Sequence, residues 1–283
     1  MKLTLAYLGP NGTNSETAAL AYSSWILEEH NLTAELCPFP SIASAMQSVA
    51  QQKTAQAVIP IENSIEGSVT VVLDSLWQSD KLWVHRELTL PIFHSLLSFA
   101  SDLTELKTVY SHPQALAQCQ QWLAKFLPQA RLVPTKSTTE GIKFLKTDRT
   151  SAAVASPRAG KLYQVPALRV DIKDRPDNCT RFWIVSSEPS KIGSHLSLAF
   201  SLPKNAPGAL VKALEIFARR EINLSKIESR PSKRSLGEYI FFIDLEGNSN
   251  EAYIKDALAD LSACTDVLRI FGNYNLLPIE VLA

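Results

Sequence analysis

Net charge is the first thing this 283-residue sequence lacks: its 28 basic and 28 acidic residues cancel, so no global field recruits nucleic acid or an anionic membrane surface. The densest basic cluster, "RPSKR" at 230–234, reads as a solvated turn. Cysteine is sparse. Cys37, Cys119, Cys179 and Cys264 form no CxxC pair and have neither disulfide-framework nor zinc-site spacing, which suits a reducing compartment. No apolar run reaches the ~18 residues of a membrane helix. The apolar run of about six residues before Gly9-Pro10 is too short for a secretory signal, so a cytoplasmic protein is expected. The five histidines, at 30, 85, 94, 112 and 195, make no HxxxH pair or ligand cluster, and no GxGxxG or Walker fingerprint occurs. No metal and no cofactor are expected.

What is there suits a folded protein: 46% hydrophobic and 20% charged residues lie far from the composition of disorder. At about 150 residues per domain the length allows roughly two domains. β-like runs alternate with helical periods from the N-terminus: "LTLAYLG", then 15–29; "TAELCPF", then 41–52; "QAVIPI", then 68–78. Such alternation predicts parallel α/β layers. The extended stretch "LWVHRELTLPIFHSLLSF" breaks the rhythm, which resumes with "KTVYS", a helix over 113–127, "ARLVP", a helix over 138–147, and "AAVAS". Two α/β lobes follow, with crossings near 80–105 and 170–185 and a ligand cleft between them. Residues 1–188 form this unit and 189–194 a linker. Residues 195–283 spell βαββαβ, a ferredoxin-like unit.

Chemistry-bearing residues gather at strand-to-helix junctions. In "YLGPNGTNSE", Thr13 and Glu16 make a capping box, at a helix start that favours an anion. "IPIENSIEGS" puts Glu62, Asn63 and Ser64 just beyond an apolar strand, where ligands collect in α/β sheets. "SHPQALAQC" repeats the arrangement, with Ser111 ending a strand and Gln114 and Gln118 one turn apart on a helix opened by Pro113. In "DNCTRFWIVSS", Thr180 is either a cap or a proton donor, and Arg181 either an ion pair or a carboxylate clamp. Together these neutral donors and one arginine suit a small polycarboxylate. No catalytic carboxylate pair or Ser/His/Asp set is visible.

In their order, "YLGPNGTNSETAA", "IPIENSIEGSV", "SHPQALAQC", "STTE", "AAVAS" and "NCTRF", followed by "PGALVKAL" and "KIESRP", resemble the prephenate dehydratase family over about residues 5–275. The resemblance implies a catalytic domain of two lobes like periplasmic binding proteins, followed by a βαββαβ ACT regulatory domain. It implies decarboxylating dehydration of prephenate to phenylpyruvate in phenylalanine biosynthesis. Asn63, Ser111, Gln118, Thr180 and Arg181 fall on the family's active-site positions, and Phe182 would complete the pocket wall. Arg181 would clamp a substrate carboxylate while Thr180 donates to the leaving hydroxyl, both facing the cleft at an irregular strand start. In the ACT unit, Gly208, Ala209, Leu210, Glu228, Ser229 and Arg230 would bind phenylalanine, in a homodimer or homotetramer. With no enzyme domain before the first motif, a monofunctional form is expected. Asn14 stands where the family commonly has an aromatic, and "GNYN" replaces a common Tyr-Pro ending. Two rival readings are arogenate dehydratase and a non-catalytic amino-acid sensor.

Overall fold

The computed structural model describes residues 2–278; the last five residues of the expected 195–283 unit lie outside them. The first lobe comprises β1 (Leu3–Leu8), α1 (Asn14–His30), β2 (Ala34–Phe39), α2 (Ile42–Ala50), β3 (Gln56–Asn63), the short β4 (Gly67–Ser68), α3 (Thr70–Gln78) and β5 (Trp83–Pro91). The chain crosses to the second lobe within three residues. That lobe holds β6 (Ser95–Ser98), β7 (Thr108–Ser111), α4 (Pro113–Gln118), α5 (Gln120–Phe126), β8 (Arg131–Pro134), α6 (Ile142–Leu145), β9 (Ser151–Ala155), α7 (Pro157–Tyr163) and β10 (Ala167–Arg169). It then returns as β11 (Cys179–Ser186), inserted between β3 and β5. The C-terminal unit is β12 (His195–Ser201), α8 (Ala209–Ala218), β13 (Leu224–Pro231), β14 (Tyr239–Glu246), α9 (Ala252–Cys264) and β15 (Val267–Leu276), the expected βαββαβ order.

The second lobe's sheet has order β10-β6-β9-β7-β8. β9, "SAAVA", is buried along its whole length, as a central strand covered on both faces must be. The first lobe and the C-terminal unit share one sheet, β13-β14-β12-β15-β5-β11-β3-β1-β2. The join is β15 lying parallel to β5, with Asn275 and Leu276 opposite Arg86 and Glu87. Gly272 makes the approach possible: its φ is +126°, and a Cβ there would stand 2.7 Å from the Val84 carbonyl. Packing follows the sheet. One face of the C-terminal sheet buries Leu196, Phe200 and Ile243 under its helices; the other packs Ile240, Phe242 and Phe271 against Trp183, Leu73 and Leu76 of the first lobe.

Four elements differ from the sequence-based expectation. The helix expected over 113–127 breaks at Cys119, because Asp174 on the returning chain accepts from the Gln121 and Trp122 amides (2.9 and 3.0 Å) and caps a second helix there. The helix expected over 138–147 is only α6, since Ser137–Gly141 forms turns in which the Ser137 hydroxyl accepts from the Glu140 amide. α7 and β10 lie in stretches with no element expected. Among the described residues no helix is long and apolar enough to cross a membrane, and no cluster of His, Cys, Asp and Glu could hold a metal.

Candidate active site

A cavity of about 870 Å³ opens between the lobes, lined by the start of α1, the ends of β3 and β11, the α4 helix, the 136–140 loop and Lys143 of α6. Its floor is a buried chain of amides. The Asn63 Nδ2 group donates toward Asn178 Oδ1 (2.8 Å), the Cys179 carbonyl (3.0 Å) and Thr180 Oγ1 (3.0 Å). Asn63 Oδ1 is fixed in turn by the Ile65 and Glu66 amides, both at 3.1 Å. Asn178 Nδ2 donates to Gln118 Oε1 (2.9 Å), which also pairs with His94 Nε2 (2.8 Å). The consequence for Thr180 is directional: its oxygen already accepts from Asn63, so its own hydrogen is free to point into the cavity it lines.

Of the residues picked out from sequence, Thr13, Asn63, Gln114, Gln118, Thr180 and Phe182 meet at this cavity. Arg181 does not. β11 pairs in regular register here, Thr180 opposite Asn63 and Arg181 opposite Glu62, and the bulge comes one residue later, between Arg181 and Phe182. Alternation therefore sends Thr180 to the cleft and Arg181 to the opposite face. There the guanidinium binds Glu87 (2.9 and 2.6 Å), Glu62 (2.7 Å) and Asp244 (3.2 Å). The clamp expectation is corrected, and Glu62 leaves the cleft with it. Ser111 is also withdrawn: fully buried, it donates to the Val154 carbonyl (2.5 Å). Ser64 ties the loop by accepting from the Cys179 amide (3.0 Å).

At the α1 start Thr13 caps the Glu16 amide (3.3 Å), but the Glu16 carboxylate reaches past Thr13 to the Gly12 amide (2.8 Å) and to Arg158 of α7 (2.6 Å). The expected capping box is thus opened into a link between lobes. Gly12 sits at φ +85°, which strains any residue with a side chain, and a Cβ there would crowd Thr139 and Tyr163 at 3.0 and 3.1 Å.

The expected effector residues are divided likewise. Gly208, Ala209 and Leu210 open α8. Along β13, alternation puts Ser229 on the helix-bearing face, but turns Glu228 and Arg230 to the first lobe. There Arg230 holds Asp74 of α3 with two bonds of 3.0 Å, so a single pocket containing all six is corrected.

Sequence reasoning missed Asn178 and His94. Asn178 stood inside "DNCTRF", next to the residues that drew attention; His94 was a lone histidine in an apolar run. Because Gln118 Oε1 already accepts from Asn178, His94 presents an N–H at Nε2 and a bare Nδ1, which is buried and unpaired. Burial depresses its pKa below the ordinary 6.5; the Gln118 contact and Asp171 oppose this, and Lys173 adds to it. Between the depressed value and 6.5 the unfolded chain binds the proton and the folded one does not, so stability rises with pH across that window. Wild type is expected to lose melting temperature from pH 6.5 to 5 more steeply than His94→Gln, measured by thermal unfolding; parallel curves would remove this coupling.

The family model described as "Prephenate dehydratase" matches residues 5–190, two thirds of the chain. The chain belongs to this family. A second family model, "ACT domain", matches residues 197–263, so this prephenate dehydratase family member is an enzyme with an ACT regulatory domain. It is 38% identical to the prephenate dehydratase of Lactococcus lactis subsp. lactis over 280 residues, 96% of this chain and 97% of that protein. It is 37% identical to the bifunctional chorismate mutase/prephenate dehydratase of Aquifex aeolicus, covering 96% of this chain and 74% of that one. The crystal structure of prephenate dehydratase from Arthrobacter aurescens in complex with L-Phe superposes with a TM-score of 0.86 at 33% identity, over 99% of this chain and 92% of that chain.

Proposed function

We propose that this enzyme converts prephenate to phenylpyruvate, and that Thr180 is the hydrogen-bond donor to the departing hydroxyl. The observation that carries the assignment is the Asn63–Thr180 contact (3.0 Å), which leaves the threonine hydrogen to the cleft. As the ring aromatises, the electron pair of the bond to the carboxylate flows into the ring, carbon dioxide leaves, and the C–O bond breaks with its pair on oxygen. The drive is in the substrate, so the site has to position it and stabilise charge on that oxygen. Phe182 and Phe39 offer the ring an apolar wall. With Arg181 turned away, the cleft-lining Lys136 and, on α6, Lys143 are the cations we assign to the two substrate carboxylates, assisted by Gln114 and Thr13. Gln118, Asn178 and His94 hold Asn63 in place.

We further propose phenylalanine as the effector of the ACT unit, as the L-Phe complex of the Arthrobacter enzyme supports, and assign Gly208–Leu210 and Ser229 to its binding. A homodimer or homotetramer is favoured by β13, an end strand of the long sheet, and by Ile227 of β13 and Val211 of α8, each about half exposed. The four cysteines, all free, suit a cytoplasmic setting.

Purified protein given prephenate should form phenylpyruvate, with a higher kcat/KM than on arogenate, and saturating phenylalanine should raise its melting temperature. At a concentration 100-fold above Kd the ligand adds about 2.7 kcal/mol to stability. Ligand binding without product would replace this reading by the sensor. Preference for the amine-bearing substrate would make the protein an arogenate dehydratase.

A further inference from the structure

Thr180 and Arg181 sit on two successive rungs of the β11–β3 ladder, opposite Asn63 and Glu62. On the first rung the side chains meet on the cleft face, Asn63 donating to Thr180 at 3.0 Å. On the second they meet on the opposite face, Arg181 donating to Glu62 at 2.7 Å. Behind that face stands the ACT sheet. Arg181 Nη2 reaches across to Asp244 of β14 (3.2 Å), while Nε and Nη2 together grip Glu87 of β5 at 2.9 and 2.6 Å. Lys226 of β13 joins from the same side, donating to Ser68 (2.7 Å) and to Glu62 (3.4 Å).

We infer that Arg181 is a positioning residue: anchored in part by Asp244 of the ACT unit, it fixes the rung that aims the Thr180 hydroxyl. The inference rests on the role proposed above for Thr180. Three features support it over a merely structural ion pair. The guanidinium fork binds a strand on each side of β11 and a third from the ACT sheet, so it resists sliding and twisting of β11 in a way a single pair does not. Two of its three acidic partners are almost out of water, with the Glu87 and Asp244 side chains only 6% and 3% exposed, so both depend on the cation. And the peptide joining Arg181 to Thr180 leaves no flexible element between clamp and hydroxyl. A displacement of the order of 1 Å at a reacting group is enough to cost about 10²-fold in rate.

The experiment separates positioning from substrate binding and from domain attachment. Arg181→Lys keeps the charge and loses the fork; it should lower kcat about 10-fold or more with KM within about 2-fold. Asp244→Asn removes one partner of similar shape and should lower kcat by a smaller factor. The double variant should be no worse than Arg181→Lys alone, because both act through one contact. Asp74→Ala breaks a separate bridge between the units, to Arg230 and Lys233, and should leave kcat unchanged. Amide exchange over 179–184 should quicken in Arg181→Lys and Asp244→Asn but not in Asp74→Ala. The inference is overturned by a KM rise at constant kcat, which would make Arg181 a substrate ligand, by an equal kcat loss in Asp74→Ala, or by unchanged exchange. If Arg181→Lys fails to fold, Asp244→Asn decides by the same readings. A wild type that forms no phenylpyruvate would refute the proposed function, and exchange alone would then judge the clamp.

Discussion

Thr180→Val is expected to lower kcat by about 10²- to 10³-fold, the usual cost of one transition-state donor, while leaving the protein folded with nearly unchanged melting temperature. Valine matches the threonine's shape and removes only the hydroxyl. The reason stability survives lies in the neighbour. Asn63 has two amide hydrogens, and without Thr180 they still have two acceptors, Asn178 Oδ1 at 2.8 Å and the Cys179 carbonyl at 3.0 Å. No buried donor is orphaned, so the full desolvation penalty is not incurred. Steady-state turnover of prephenate with parallel thermal unfolding tests this, and a valine variant at near wild-type kcat would remove Thr180 from the chemistry.

Asn63→Asp should cost as much in turnover, at least about 10²-fold, and should also destabilise. The substitution is isosteric but replaces a donor by an acceptor facing three acceptors. Thr180 must then spend its hydrogen on the new carboxylate, and the cleft loses its donor. The backbone amides of Ile65 and Glu66 keep their partner, so the damage is confined to the amide side, at about 1–3 kcal/mol for the unmade buried bonds. The pair of variants is diagnostic: valine at 180 loses rate alone, and aspartate at 63 loses rate and stability together. A folded Asn63→Asp protein with full activity would break the link between the amide chain and the hydroxyl.

The two lobes, the crossings and the βαββαβ unit could be read from local patterns because each rests on alternating periods along the chain. Asn63, Gln118 and Thr180 were readable because they end strands or lie one turn into a helix opened by proline. Arg181 was misread where strand alternation was set aside for an expected irregular start, whereas the irregularity falls one residue further on. The break at Cys119 depends on Asp174, more than 50 residues away in sequence, and no helical periodicity carries that information. His94 gains meaning only from Gln118 beside it. Residues 189–194 read as a spacer between independent units, yet β15, the last strand of the second unit, returns to pair with β5; edge-to-edge pairing of this kind is a long-range choice.

That pairing makes the regulatory unit a structural lid on the enzyme's own backbone. A catalytic fragment cut off after residue 190 would bare the β5 edge at Arg86 and Glu87 and uncover Trp183 and its apolar neighbours. An open strand beside a greasy surface invites other chains to add on. Such a fragment should precipitate or form soluble aggregates instead of acting as a deregulated enzyme.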